Sequence, residues 1–101
     1  MSNSNDISIP STNTLSQAAK LSIKISKPVC FYFYIDSCND GIKICTNETD
    51  KIIFKNLDEH TSSISNIYKV DNEYLIVTEN TIYIISSNTK VAKIPEELSY
   101  N

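Results

Sequence analysis

The run Val29-Cys30-Phe31-Tyr32-Phe33-Tyr34-Ile35-Asp36 constrains this chain more than any other stretch. Its odd positions are apolar, and its even positions are amphipathic up to the closing Asp36. Side chains alternate between faces in a strand, so this pattern predicts one apolar face and one aromatic face with polar tips. Burying a large apolar side chain contributes roughly 1.5–3 kcal/mol. A small domain has a net stability of only about 5–15 kcal/mol, so we expect this run to be the central strand.

The flanking sequence supports a mainly β, α+β fold. Thr14-Leu15-Ser16-Gln17 has the form of a capping box, and Ala18, Leu21 and Ile25 recur at helical spacing before Pro28. A helix over residues 15–25 is predicted, with that stripe leaning on a sheet. Beyond it the period becomes that of strands: 42–45, 51–55, 64–70, 73–78, 81–86 and a weaker run at 90–94. Polar turns separate these runs, and Asn56 to Ser63 forms a longer polar connection. The spacing predicts a small antiparallel barrel or sandwich of about six to seven strands under one N-terminal helix. With a single glycine in the chain, asparagine is expected at the left-handed turn positions.

A chain of 101 residues builds one domain with a modest core. We assign residues 1–13 as a mobile N-terminal tail, 14–94 as the β-rich domain and 95–101 as a C-terminal tail. Ile7 and Ile9, spaced as a short extended segment, are the candidate partner-docking residues because such a segment can add to a sheet edge. Lys43, Lys51, Lys55, Lys69 and Lys90 read as solvated side chains that discourage edge pairing.

Composition narrows the function classes. The nine basic residues are all lysine against twelve carboxylates, for a net charge of -3. Arginine is the usual reader of phosphates and guanines, so direct nucleic-acid binding is disfavoured. No run has the length of a membrane-spanning helix, and the polar start has no export signal, so a cytoplasmic, unsecreted protein is expected. Cys30, Cys38 and Cys45 are then expected as reduced thiols.

No constellation points to catalysis, a cofactor or a metal. Cys30, Cys38, Cys45 and His60 lack the paired spacing of zinc ligands. Residues 36–41 imitate the start of a calcium loop, but Cys38 takes the third ligand position, Asn47 stands where a bidentate Glu belongs, and strands flank the loop instead of helices. A helix, a strand and then Cys38 look like the opening of a thioredoxin fold, yet the second cysteine is missing three residues on, where Gly41 stands. A nucleophile–base arrangement would need His60, a nearby serine and a carboxylate such as Asp58. Tyr32, Tyr34, Tyr68, Tyr74 and Tyr83 could stack bases if one face gathered them. Asn47-Glu48-Thr49 is a glycosylation acceptor only in an exported chain.

Three strings carry a resemblance: residues 15–20 with Lys27-Pro28 and the aromatic run, residues 58–64, and residues 78–84. Together they resemble small uncharacterised β-rich proteins of the giant DNA viruses that infect amoebae, over residues 15–86. The resemblance implies a protein made in the host cytoplasm or carried in the virion, and it transfers no functional residues. The function expected is a non-catalytic structural or protein–protein interaction module with a protein partner or a homo-oligomer. The alternatives are a nucleic-acid or nucleoprotein accessory protein, or a thioredoxin-like thiol protein.

Overall fold

The structure is a computed structural model and describes residues 9–99. Its first element is helix α1, Thr12–Ile25. Ser11 caps it, its hydroxyl accepting from the Thr14 amide at 3.0 Å. The helix therefore starts three residues before the expected Leu15, and Thr14 is not the cap. The Thr14 hydroxyl is engaged elsewhere, donating to Glu73 Oε1 at 2.6 Å with Val70 O 3.1 Å away. At the other end Ser26 turns left-handed at φ 59, and its amide bonds Ser22 O. The apolar stripe behaves as expected: Ala18 is buried, and Leu15, Leu21 and Ile25 pack against the same core.

The aromatic run is not the central strand. Only Val29–Cys30 is extended, as strand β1 at a sheet edge. The chain then turns, the Tyr34 amide bonding Phe31 O at 2.9 Å, and residues Tyr34–Cys38 form the short helix α2. Phe33, Tyr34 and Ser37 are buried while Phe31, Tyr32 and Ile35 are exposed. Burial at positions 33, 34 and 37 follows helical spacing, and large aromatics satisfy a period of two and a period of 3.6 almost equally over so short a window.

Among the described residues eight strands form two four-stranded sheets, neither of them closed, in keeping with the mainly β barrel-or-sandwich class expected. After β1 come β2 (Lys43–Thr46), β3 (Lys51–Asn56), β4 (Glu59–His60), β5 (Ile64–Val70), β6 (Glu73–Thr78), β7 (Ile82–Ser86) and β8 (Lys90–Lys93). One sheet has the order β1-β7-β6-β5 and the other β4-β3-β2-β8. The pairing is antiparallel except at two places, where β1 pairs parallel with β7 and β2 parallel with β8. The expected antiparallel pairing therefore holds for the other joints, and these two are parallel. A one-turn helix, α3 (Glu96–Ser99), follows the last strand.

The centre of the molecule is the hairpin β6–β7. On one face Leu75, Val77, Ile82 and Ile84 pack under α1 with Ala18 and Tyr34. On the other, Ile76 and Ile85 meet Ile44 and Ile53 of the second sheet, with Phe33 and Ile42. These two strands are buried on both sides, which places them in the middle of three layers: helix, sheet, sheet. The left-handed positions are taken by Ser26, Asp40 and Asp71, and not by asparagine. Asp tolerates this conformation for the same reason as Asn, a short side chain that can hydrogen-bond locally. Gly41 serves close approach instead: a Cβ there would lie 3.2 Å from the Asp36 carbonyl oxygen and Cβ.

Candidate functional site

The turn from β1 into α2 leaves a ridge on the surface. Phe31 is 49% exposed, Tyr32 58% and Ile35 48% within five consecutive residues. Single exposed apolar residues are ordinary, but a cluster with two aromatics has the composition of a protein interface. The ridge rests on a fixed base. Phe33 beneath it meets Tyr32 edge-on at 4.9 Å and Tyr83 at 5.4 Å. The Ser37 hydroxyl accepts from the Ser86 amide at 2.8 Å and ties α2 to β7.

Charged groups hold the exposed side in place. The Tyr32 hydroxyl donates to Glu59 Oε2, on β4 of the second sheet. Lys55 Nζ lies 3.3 Å from Asp36 Oδ2 and 3.7 Å from Glu59 Oε1, so one ammonium bridges α2 and β4. Donation to Glu59 pushes the Tyr32 hydroxyl above its ordinary pKa and holds the Glu59 carboxyl below its own. The Asp36 hydrogen bond and charge raise Lys55. Behind the ridge, burial and then the neighbouring Cys38 thiol push Tyr34 up to about 12. Leu57, two residues before Glu59, is also half exposed.

The other sequence-selected residues are scattered. Ile9 is 71% exposed, and Ile7 lies outside the described residues. Cys38 is exposed at the end of α2, Cys30 is half-buried, and Cys45 is buried, which raises its thiol pKa. Cys38 thus follows a helix, whereas a thioredoxin-type cysteine precedes one, and strand follows at Lys43. Among the described residues no three His, Cys, Asp or Glu side chains converge as metal ligands would. Asp36 pairs with Lys55 and Asp40 with Lys90, so the calcium-like loop does not close on a common point.

His60 does not stand in a triad. Its Nδ1 faces Thr61 O at 3.2 Å and its ring stacks on Phe54, while Ser63 donates to Asp50 at 2.8 Å. His60, Thr61, Ser63 and Asp50 line an open cleft of about 410 Å³ together with Ile52, Ile94 and Leu98. The tyrosines share no stacking face either. Tyr34 is buried, Tyr74 and Tyr83 pack between the sheets, and Tyr32 and Tyr68 lie toward opposite edges of one sheet.

No family model, curated protein or solved structure matches this chain. The functional reading therefore rests on its own residues. Sequence reasoning missed the ridge because it assigned Phe31 and Ile35 to a buried strand face. The available signal was the helical spacing of Phe33, Tyr34 and Ser37, which leaves residues 31, 32 and 35 outside. In the described residues no helix is long and apolar enough to cross a membrane.

Proposed function

We propose that this chain is a non-catalytic protein–protein interaction module that docks through the ridge of Phe31, Tyr32 and Ile35. The observation that carries the reading is that Tyr32, in the middle of the ridge, is held rather than loose. Phe33 packs edge-on against its ring, and its hydroxyl is tied to Glu59 within the Lys55 network. A pre-ordered aromatic anchor loses little rotamer entropy on binding, which is the property of residues that dominate interfaces. The partner is another protein or a second copy. Taken with the resemblance of residues 15–86, the setting in this reading is the host cytoplasm or the virion.

The test compares wild type with the double variant Phe31→Ser, Ile35→Ser in light scattering coupled to size exclusion and in cross-linking to co-purifying proteins. Matching circular dichroism spectra establish that both are folded. The wild type is expected to form a complex that the variant loses. Identical monomers with identical cross-linked partners would remove the ridge as a docking surface.

A further inference from the structure

A second, different surface forms where the turn between β2 and β3 meets the segment between β4 and β5. Asn47 fixes the turn, its Oδ1 accepting the amides of Thr49 at 2.8 Å and Asp50 at 2.7 Å. The Ser63 hydroxyl reaches across to donate to Asp50 Oδ1 at 2.8 Å, so the carboxylate has a set direction. This turn, the segment after β4 and the link from β8 into α3 together line the open cleft of about 410 Å³. That volume lies within the roughly 300–1,000 Å³ of small-molecule sites. The apolar part of the lining is aliphatic: Ile52 is buried, and Ile94 and Leu98 are half-buried.

The lining chemistry selects the class of ligand. Asp50 is the one acidic residue among the described lining residues, and no lysine lines the cleft with it. It takes no part in the ion pairs that engage Asp36, Asp40 and Glu59. Lys51, next in the chain, shares a strand face with Ile53 of the core and so stands on the opposite side of β3 from Ile52. A carboxylate can accept about four hydrogen bonds. Asp50 receives one from Ser63 and a long one from Thr49 at 3.3 Å, which leaves acceptor capacity beside an unneutralised charge. His60 adds a further acceptor. Its Nδ1 faces the Thr61 carbonyl, which can only accept, so Nδ1 carries the hydrogen and Nε2 of the neutral ring is an acceptor. Among the described residues no Phe, Tyr or Trp lines the cleft, and aromatic faces are what a quaternary ammonium needs. We infer that this cleft binds a small aliphatic amine in its protonated form, the ammonium donating to the Asp50 carboxylate and the hydrocarbon body lying against Ile52, Ile94 and Leu98. The inference goes beyond the ridge, which shares no residue with the cleft, and does not depend on it.

The probe is cyclohexylmethylamine, titrated at neutral pH into the isotope-labelled full chain and followed by NMR. His60 is the chain's single histidine, so its ring resonances report on this cleft alone. We expect saturable shifts confined to the His60 ring and to the amides around Asp50, Ile52, Ser63 and Leu98. The trimethylated analogue keeps the charge but has no N–H to donate, and should bind at least about tenfold more weakly. Cyclohexanecarboxylate, with the charge reversed, should not bind. Asp50→Asn changes an exposed side chain and keeps the backbone bonds of the turn to Asn47, so the fold is retained while affinity for the amine falls at least about tenfold. Leu98→Ser should weaken binding through the hydrocarbon body, and Phe31→Ser should leave it unchanged, which separates this surface from the ridge. Absence of saturable binding, shifts arising elsewhere, a carboxylate or trimethylated analogue that binds as tightly as the amine, or undiminished binding by Asp50→Asn would each overturn the proposal.

Discussion

Thr14 and Glu73 show how much a single pair can fix in a small domain. Thr14 is fully buried and Glu73 nearly so, and the threonine hydroxyl supplies the shortest hydrogen bond that the carboxylate accepts. Replacing Thr14 with valine keeps the shape and strips the donor, leaving Glu73 Oε1 with the Ser11 amide at 3.4 Å. A buried acceptor deprived of its partner costs about 1–3 kcal/mol, so Thr14→Val should lower the urea midpoint accordingly. An unchanged midpoint would show that the pair contributes nothing. Tyr34 makes a pH-dependent prediction. Its folded pKa of about 12 stands above the ordinary 10.0, chiefly because burial disfavours the phenolate. The unfolded chain therefore releases this proton first as pH rises. The stabilisation is complete below pH 10 and is lost progressively as pH climbs toward 12. Tyr83, also raised by burial, acts with the same sign. Denaturant titrations across this range should show a shallower decline for Tyr34→Phe, and an identical slope would exclude Tyr34 as a source.

At the scale of elements, legibility tracked how local the determining physics is. Ile64–Val70 and Glu73–Thr78 match the sequence reading end to end, because Asp71-Asn72 marks the turn and alternation marks the strands. The α1 stripe was equally plain, though its start was not, since Ser11 caps with help from Asp71, distant in sequence. The two-residue strand Glu59–His60 was hidden in a polar connection, where two residues give no period to detect. The parallel pairs of β1 with β7 and β2 with β8 left no trace in any window, because partner choice is set by the whole sandwich. The aromatic run failed for a related reason: hydrophobic mass says that something is buried, not by which period. The candidate ridge was lost with it.

Considered whole, the molecule is a helix over a sheet over a sheet, and its stability should be graded from the middle layer outward. Leu75, Ile76, Ile84 and Ile85 are at most 2% exposed, with protein on both faces of their strands. Their amides should be the last to exchange with deuterium, opening only with global unfolding, while those of β8 and α3 exchange first. Equal rates in β6 and β8 would show that the two sheets do not form one graded core.

The parallel joint between Val29 and Ile82 bears on how the chain matures during synthesis. Helix α1 and the aromatic turn leave the ribosome before Ile82 and Ile84, on which they sit, are translated. Until those residues emerge the nascent chain carries Phe33 and Tyr34 without their full set of core partners. A pause before residue 82 would therefore hold the polypeptide in its most chaperone-dependent form.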